Sequence, residues 1–302
     1  MTIDNLKSFL EEFRDDVKFS SDLKKKNWFN IGGKAKVFYN ADNLNNLINF
    51  LKKINNQERI FILGAGSNTL ITDNMFDGIV IKLGKNFRNI SLLGEDIIIA
   101  GSAALDKSLS TFAAENSIAG FEFLSCIPGT IGGGIRMNAG CFNSEFKDLL
   151  VSVQVVDKTG TVKTISAKDI KFEYRKTNLP DDLIFLSASF KATRGKINEI
   201  KDKIDKLKKE KEKNQPLKIK TSGSTFKNPI SQTKKKVWEL IKESVPLNQK
   251  FGDAYISEKH CNFFVNKGNA TFNDMKKLIN FVSKRVQEKT GIILEKEIKI
   301  LE

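Results

Sequence analysis

Two glycine-rich stretches carry residue types and spacing that could do chemistry: Gly64-Ala65-Gly66-Ser67-Asn68-Thr69 and Pro128-Gly129-Thr130-Ile131-Gly132-Gly133-Gly134. Without Cβ, successive residues can turn their backbone N–H groups toward one point, and that concavity binds anions. An isolated Gly-x-Gly is ordinarily a tight turn. Two such loops, each led by an apolar strand or segment, point instead to a cofactor carrying a diphosphate, and spacing alone does not say which. The first loop lacks the third glycine of a dinucleotide fingerprint. The chain after it runs through Asp73–Gly78 into another strand rather than a long helix, which argues against a Rossmann unit. Ile-Arg follows the second loop where a P-loop requires Gly-Lys-Ser/Thr.

Other reactive side chains are sparse. The three cysteines, Cys126, Cys141 and Cys261, form no C-x-x-C and are too scattered for a disulfide framework. Cys126 and Cys141, inside the second loop region, read as small packing residues. The single histidine, His260, argues against any centre built on several histidines, and no metal is expected. A lone histidine is more often structural than catalytic.

The elements that must position these loops follow from periodicity. Asp42 reads as an N-cap, with Leu44, Leu47, Ile48 and Leu51 on one helical stripe. Strands are expected at Arg59–Gly64, Gly78–Leu83, Asp96–Ala100 and Phe185–Phe190, and a helix at Leu105–Asn116. Val151–Val156 and Thr161–Ile165 form a hairpin through Lys158-Thr159-Gly160. Pro128–Gly134 reads as a loop. Ile197–Lys213 is an amphipathic helix rich in Lys and Glu, and a domain boundary falls near its start. Beyond it come a helix near Lys235–Glu243, a strand near Asn262–Val265, a helix from Asn273 to about Lys289 capped by Thr271, and an alternating strand over Ile292–Leu301. The class is α+β, with residues 1–195 as one domain, split near 58 into two subdomains, and 196–302 as a second.

At 302 residues, with 40% hydrophobic and 28% charged residues, the balance is that of an ordinary globular chain. The acidic start MTIDNLKSFLEEF is unlike a secretion signal, and no apolar run is long enough to span a bilayer, so the expectation is a cytoplasmic protein without membrane insertion. The net charge of +14 suits nucleic acid or any polyanionic small ligand. No basic stripe interleaved with stacking aromatics supports nucleic acid. A monomer or weak oligomer is expected.

Ile62–Leu70 (ILGAGSNTL) with Gly120–Cys141 (GFEFLSCIPGTIGGGIRMNAGC) resembles the FAD-binding domain of the UDP-N-acetylenolpyruvoylglucosamine reductase family. That domain has the p-cresol-methylhydroxylase-type flavin fold. The resemblance extends through Asn27–Ala35 (NWFNIGGKA), Tyr174-Arg175, Thr221–Pro229 (TSGSTFKNP), Ile256–Asn266 (ISEKHCNFFVN) and Leu294–Ile298 (LEKEI), in order and over nearly the whole chain. The short stretch between Phe190 and Ser224 is similar to the compact subtype, which lacks an extra tyrosine loop.

The resemblance implies a two-lobed flavin domain of α/β lobes, followed by a C-terminal α/β substrate-binding domain whose last strand carries a catalytic glutamate. It implies non-covalent FAD, reduced by NADPH, and hydride delivery to the enolpyruvyl group of UDP-N-acetylglucosamine enolpyruvate, giving UDP-N-acetylmuramate for peptidoglycan. Gly64, Ala65, Gly66, Ser67, Asn68, Thr69, Pro128, Gly129, Thr130, Gly132, Gly133, Asn138 and Ala139 would then hold the cofactor. Ser224 would donate the proton, while Arg175 and Glu297 polarise the substrate carboxylate. Tyr174, Asn228 and His260 would line the substrate.

Each role has a plainer rival. Arg175 by itself would be a solvated or salt-bridged arginine, although its planar fork suits a carboxylate. Ser224 would be a turn residue; as an acid it needs a stabilised alkoxide, for which Lys220 and Lys227 are the nearby cations. Glu297 shares a strand face with Glu295, and only the family pattern separates them. Asn214-Gln215-Pro216 stands where the compact subtype carries a lysine before Gln-Pro, leaving Lys213 and Lys218 as candidates for a diphosphate contact. A hydroxy-acid oxidase or dehydrogenase of the same flavin fold is the alternative enzyme, and a basic nucleic-acid-binding protein the alternative of another class.

Overall fold

The computed structural model describes residues 2–55, 57–216 and 219–302, so Lys218 lies outside the described residues. The chain forms two compact units. One comprises Met1–Ser20, Lys36–Ala65 and Asp77–Lys211, the other Ser21–Ala35, Gly66–Phe76 and Glu212–Glu302. This division differs from the sequence boundary at 195/196 in both directions. Two N-terminal segments pack with the C-terminal unit. The helix Ile197–Asn214 instead packs Ile200 and Ile204 against Ala114 of the first unit.

The first unit has two cores. The first surrounds a four-stranded sheet ordered Val17–Asp22, Lys34–Ala41, Phe76–Leu83, Ile60–Ile62, with the last pair parallel. The helix Leu44–Ile54 covers it through Leu47, Phe50, Leu51 and Ile54. The Tyr39 ring stacks on Phe50 at 4.0 Å, and Phe13 meets both rings edge-on. Asn43 rather than Asp42 caps this helix. Its extended backbone lets its side chain accept from the orphan N–H groups of Asn45 and Asn46, while Asp42 Oδ1 accepts from Asn86 N at 3.0 Å. Ile79, Ile81, Leu83 and Phe87 belong to the same core, so the expected split near residue 58 falls inside it.

The second core lies against a five-stranded antiparallel sheet ordered Val162–Ser166, Leu150–Val156, Ile184–Lys191, Ile97–Gly101, Ile90–Leu93. The expected hairpin is present, and Gly160 supplies its left-handed turn at φ +82. Phe121, Phe146 and Phe190 fill the centre. The second glycine stretch is not wholly loop: Ile131–Arg136 is helical. A Cβ on Gly134 would come within 2.2 Å of the Phe146 ring, and one on Gly132 within 3.1 Å of Ser102 Cβ. These two glycines therefore serve close packing of a helix.

In the second unit, Val237–Ser244 and Phe272–Thr290 cover a small sheet of Lys250–Phe251, Ala254–Ile256 and Phe264–Asn266. The longer helix starts as expected. Thr271 Oγ1 accepts from Asp274 N, the Asp274 carboxylate accepts from Thr271 N, and Gly291 ends the helix at φ +72. The closing strand is shorter than expected. Only Lys299–Leu301 is a strand, pairing in parallel with Thr69–Ile71. Before it, Leu294 and Ile298 are buried and Glu295 and Lys296 exposed, which breaks the period-two pattern.

One buried carboxyl stands out. Asp106 opens the helix Asp106–Glu115 at 0% exposure, and neither carboxyl oxygen has a hydrogen-bond partner among the described residues. It lies beneath Gly129, whose missing Cβ would fall 2.5 Å from Oδ2. Burial pushes its pKa well above the usual carboxylate range. The helix dipole favours the anion by only ~0.3–1 kcal/mol, too little to reverse that. The folded state therefore holds a proton that the unfolded state releases, and stability falls as pH rises from the ordinary carboxylate range toward the folded pKa. Asp106→Asn, which cannot ionise, should stabilise the protein at pH 8. The gain should vanish near pH 4, as read from urea unfolding at both pH values.

Candidate active site

The two glycine stretches meet at Thr130 in the first unit. A Cβ on Gly64 would lie 2.6 Å from Thr130 Oγ1, and one on Gly133 3.4 Å from the same oxygen. Inner N–H groups of the second stretch are engaged: Ile131 N donates to Ala104 O, Gly132 N to Ser102 O and Gly134 N to Thr130 O. The outer edge, with Pro128 and Gly133 exposed and Gly64, Ala65 and Gly129 half-buried, is uncharged, free of bulky side chains and carries one hydroxyl. An edge of this kind would admit the diphosphate of a flavin cofactor, and at Gly64 a side chain would run into Thr130 Oγ1. The rest of the first stretch belongs to the second unit. Gly66 at φ +66 is required there, because a Cβ would lie 2.2 Å from Lys26 O. Half-buried Ser67 follows it, then Asn68, whose Nδ2 donates to Glu297 O at 3.1 Å, and buried Thr69, whose carbonyl accepts from Ser222 Oγ.

Asn138 and Ala139, expected as cofactor contacts, are both buried. Asn138 is fully so, and its amide is bonded within the protein. Nδ2 donates to Glu145 Oε2 at 3.0 Å and Glu173 O at 3.1 Å, and Oδ1 accepts from Lys147 N. Cys141 is held as an inert thiol, since burial pushes its pKa up to about 12.

Arg175 sits in the first unit at the tip of a short hairpin, where Phe172–Glu173 pairs with Lys176–Thr177. Its φ of +55 is the left-handed conformation that turn chemistry usually reserves for Gly or Asn. The guanidinium donates through Nη1 to Asn138 O at 3.4 Å and through Nη2 to Gly140 O. It also lies 4.9 Å above the Tyr174 ring. A planar cation fixed in this way suits a carboxylate.

Ser224 and Glu297 come together in the second unit. Ser224 bridges Phe263, the adjacent Thr225 N donates to Asn262 O, and Thr225 O accepts from Glu297 N at 2.8 Å. The Asn262 side chain closes the loop by bonding both Phe226 N and Phe226 O. Glu297 is half-buried, whereas Glu295 is exposed and pairs with Lys227 Nζ at 2.5 Å. The structure thus separates two glutamates that strand periodicity left equivalent. The expected cations point elsewhere: Lys227 to Glu295, and Lys220 Nζ to Gly268 O at 3.3 Å. Asn228 Oδ1 accepts from Val237 N, at the start of a helix. His260 rests edge-on against Phe263 at 4.7 Å, its Nδ1 buried without a partner among the described residues, and burial lowers its pKa.

Sequence reasoning missed Lys211. Its Nζ donates to Cys126 O beside the second glycine stretch, and burial lowers its pKa, whereas Lys213 is exposed. The signal was there: Lys211 continues the apolar stripe Ile204, Leu207 at helical spacing. It also missed Glu145, 3.6 Å from Arg175 Nη1. Nothing in its spacing marks it, because the pairing depends on two separate hairpins. Among the described residues no helix is long and apolar enough to cross a membrane.

Residues 35–166 match the profile of an FAD binding domain, and residues 215–301 that of the UDP-N-acetylenolpyruvoylglucosamine reductase C-terminal domain. The chain is 64% identical over 301 residues to the UDP-N-acetylenolpyruvoylglucosamine reductase of Pelagibacter ubique (strain HTCC1062), covering 100% of both chains. It is 44% identical to the protein of that name from Rickettsia typhi (strain ATCC VR-144 / Wilmington), over 97% of this chain and 98% of that one. The crystal structure of UDP-N-acetylenolpyruvylglucosamine reductase (MurB) from Thermus caldophilus superimposes with a TM-score of 0.80 at 29% identity, covering 95% of this chain and 98% of that one. With an FAD-binding domain, the matching C-terminal domain and end-to-end similarity, this chain belongs to the UDP-N-acetylenolpyruvoylglucosamine reductase family.

Proposed function

We propose that this chain reduces the enolpyruvyl group of UDP-N-acetylglucosamine enolpyruvate to UDP-N-acetylmuramate, using FAD and NADPH, in bacterial peptidoglycan synthesis. The observation that supports the site assignment is that Glu297 N bonds the carbonyl of Thr225, the residue next to Ser224, which brings the two residues onto neighbouring backbone. FAD, when bound, supplies the hydride, taken from NADPH, to the enolpyruvyl carbon distal to the carboxylate. The outer edge formed by Gly64, Ala65, Gly129, Thr130 and Gly133 would hold it, with Gly66, Ser67, Asn68 and Thr69 as the remaining candidates.

Hydride addition leaves negative charge on an enolate beside the substrate carboxylate, so fixed donors lower the barrier and an acid must complete the reaction. Arg175 is the donor suited to that carboxylate, because its fork is held before substrate arrives. Ser224 is the proton source for the neighbouring carbon, and Glu297 polarises the same substrate group. Tyr174 orients Arg175 from below. His260 stays neutral and contributes a polar edge rather than charge. FAD, NADPH and the UDP-sugar are all anionic, which accounts for the +14 net charge without invoking nucleic acid. A hydroxy-acid oxidase would leave the match over residues 215–301 without a purpose. Cytoplasmic location and a monomeric or weakly associating state complete the reading.

The purified protein should show a flavin absorption band that bleaches on NADPH and returns on adding the enolpyruvyl UDP-sugar; a protein unable to take up FAD would refute the assignment. Ser224→Ala should leave flavin reduction by NADPH intact and slow reoxidation by the sugar roughly 10²–10⁴-fold, the usual contribution of a positioned acid. Arg175→Lys should slow the same half-reaction about 10²-fold, since a point charge does not reproduce the bidentate fork. Stopped-flow traces of the two half-reactions check both.

A further inference from the structure

A second hairpin presents acceptors to Arg175. Gly140–Cys141 pairs with Ser144–Glu145 across Phe142 and Asn143, whose φ values of +52 and +61 fit a type I′ turn. This turn places Glu145 opposite Gly140. The Gly140 carbonyl accepts from Arg175 Nη2, and Glu145 Oε1 lies 3.6 Å from Nη1. The other Glu145 oxygen, Oε2, accepts from Asn138 Nδ2 at 3.0 Å and pairs with Lys147 Nζ at 2.8 Å. Asn138 Nδ2 also donates to Glu173 O, two residues before Arg175 in the other hairpin. One buried amide therefore ties both hairpins, and Glu145 is the side chain that passes this constraint to the guanidinium.

We propose that Glu145 is the positioning residue for Arg175. Clamped by Asn138 and Lys147, it fixes the plane of the guanidinium so that the fork meets a substrate carboxylate without reorganising. A fork that swivels would have to be ordered during the reaction, and small misplacements of a catalytic group cost large factors in rate. Glu145 touches neither substrate nor cofactor in this role and acts only through Arg175. The inference rests on the functional reading above.

The two half-reactions of Glu145→Ala, Glu145→Gln, Glu145→Asp, Arg175→Ala and the Glu145→Ala/Arg175→Ala double variant test it. Glu145→Ala should slow reoxidation by the enolpyruvyl UDP-sugar about 10–100-fold, with FAD affinity and NADPH reduction near wild type. Glu145→Gln should fall between Ala and wild type, because its one amide oxygen keeps the reach but accepts at only one of the two carboxylate positions. Glu145→Asp, charged but one methylene short, should resemble Ala. In the Arg175→Ala background, removing Glu145 should change the rate less than about twofold, as expected of two residues acting as a unit. Because Glu145 also helps cap the turn Phe146–Asp148, the Gln–Asp comparison decides the matter if the Ala variant folds poorly. Multiplicative losses in the double variant, or a ranking with Asp above Gln, would overturn the proposal while leaving the activity in place. A wild-type flavin that the sugar fails to reoxidise would instead sink the functional reading, and this inference with it.

Discussion

The buried amide of Asn138 is the interaction on which the rest of the first unit's chemistry depends. It has 0% exposure and sits in the left-handed region at φ +44. A polar side chain so placed costs free energy unless its donors and acceptor are satisfied. Here they are, by Glu145, the Glu173 carbonyl and the Lys147 N–H. These partners come from two separate stretches of chain, 145–147 and Glu173, so satisfying one amide fixes the position of both relative to Asn138. Its backbone carbonyl then faces Arg175. The same residue also sits just after the glycine-rich helix Ile131–Arg136, and the placement of Arg175 is thereby coupled to that helix.

The glycines show how packing divides one motif. Gly132 and Gly134 are small because Ser102 and the Phe146 ring lie where a side chain would go. Their N–H groups are engaged inside the protein. Gly64 is small for the same reason, since a Cβ there would lie 2.6 Å from Thr130 Oγ1, whereas one on exposed Gly133 would meet it only at ordinary contact distance. A nest in which every amide of the run points at one anion is therefore not what this stretch builds. It builds a short helix packed hard against the sheet, with Gly133 left exposed at its outer edge.

What was legible in the sequence follows the range of the forces involved. Local signals carried the helix after Thr271, whose cap and stripe lie within a few residues of each other, and the hairpin around Gly160. They missed the cap at Asn43 by one residue, because Asp42 is as good a capping type and only the backbone angle selects between them. Period-two alternation over Ile292–Leu301 gave a strand too long, since burial there is set by Phe226 and Thr225 lying alongside rather than by a regular ladder. Arg175, Ser224 and Glu297 were accessible through family resemblance alone. Asp106 and Lys211 were accessible from pattern, as polar residues lying on apolar helical stripes. Glu145 was accessible from neither, because its relation to Arg175 exists only once two hairpins have folded.

Arg175 itself shows why such a site resists local reading. At the third position of a hairpin turn, with φ +55, glycine would be the unstrained choice, and an arginine there costs on the order of 1–3 kcal/mol. Hydrogen bonds to a charged group are worth roughly 1.5–3 kcal/mol each. Contacts to the carbonyls of Asn138 and Gly140 are therefore of the right size to offset the strain, even before Glu145 is counted. The conformation survives because the surroundings over-determine it, and those surroundings are non-local. A residue that breaks the local turn rule is held there by acceptors distant in sequence, and no reading of its neighbours along the chain would place it.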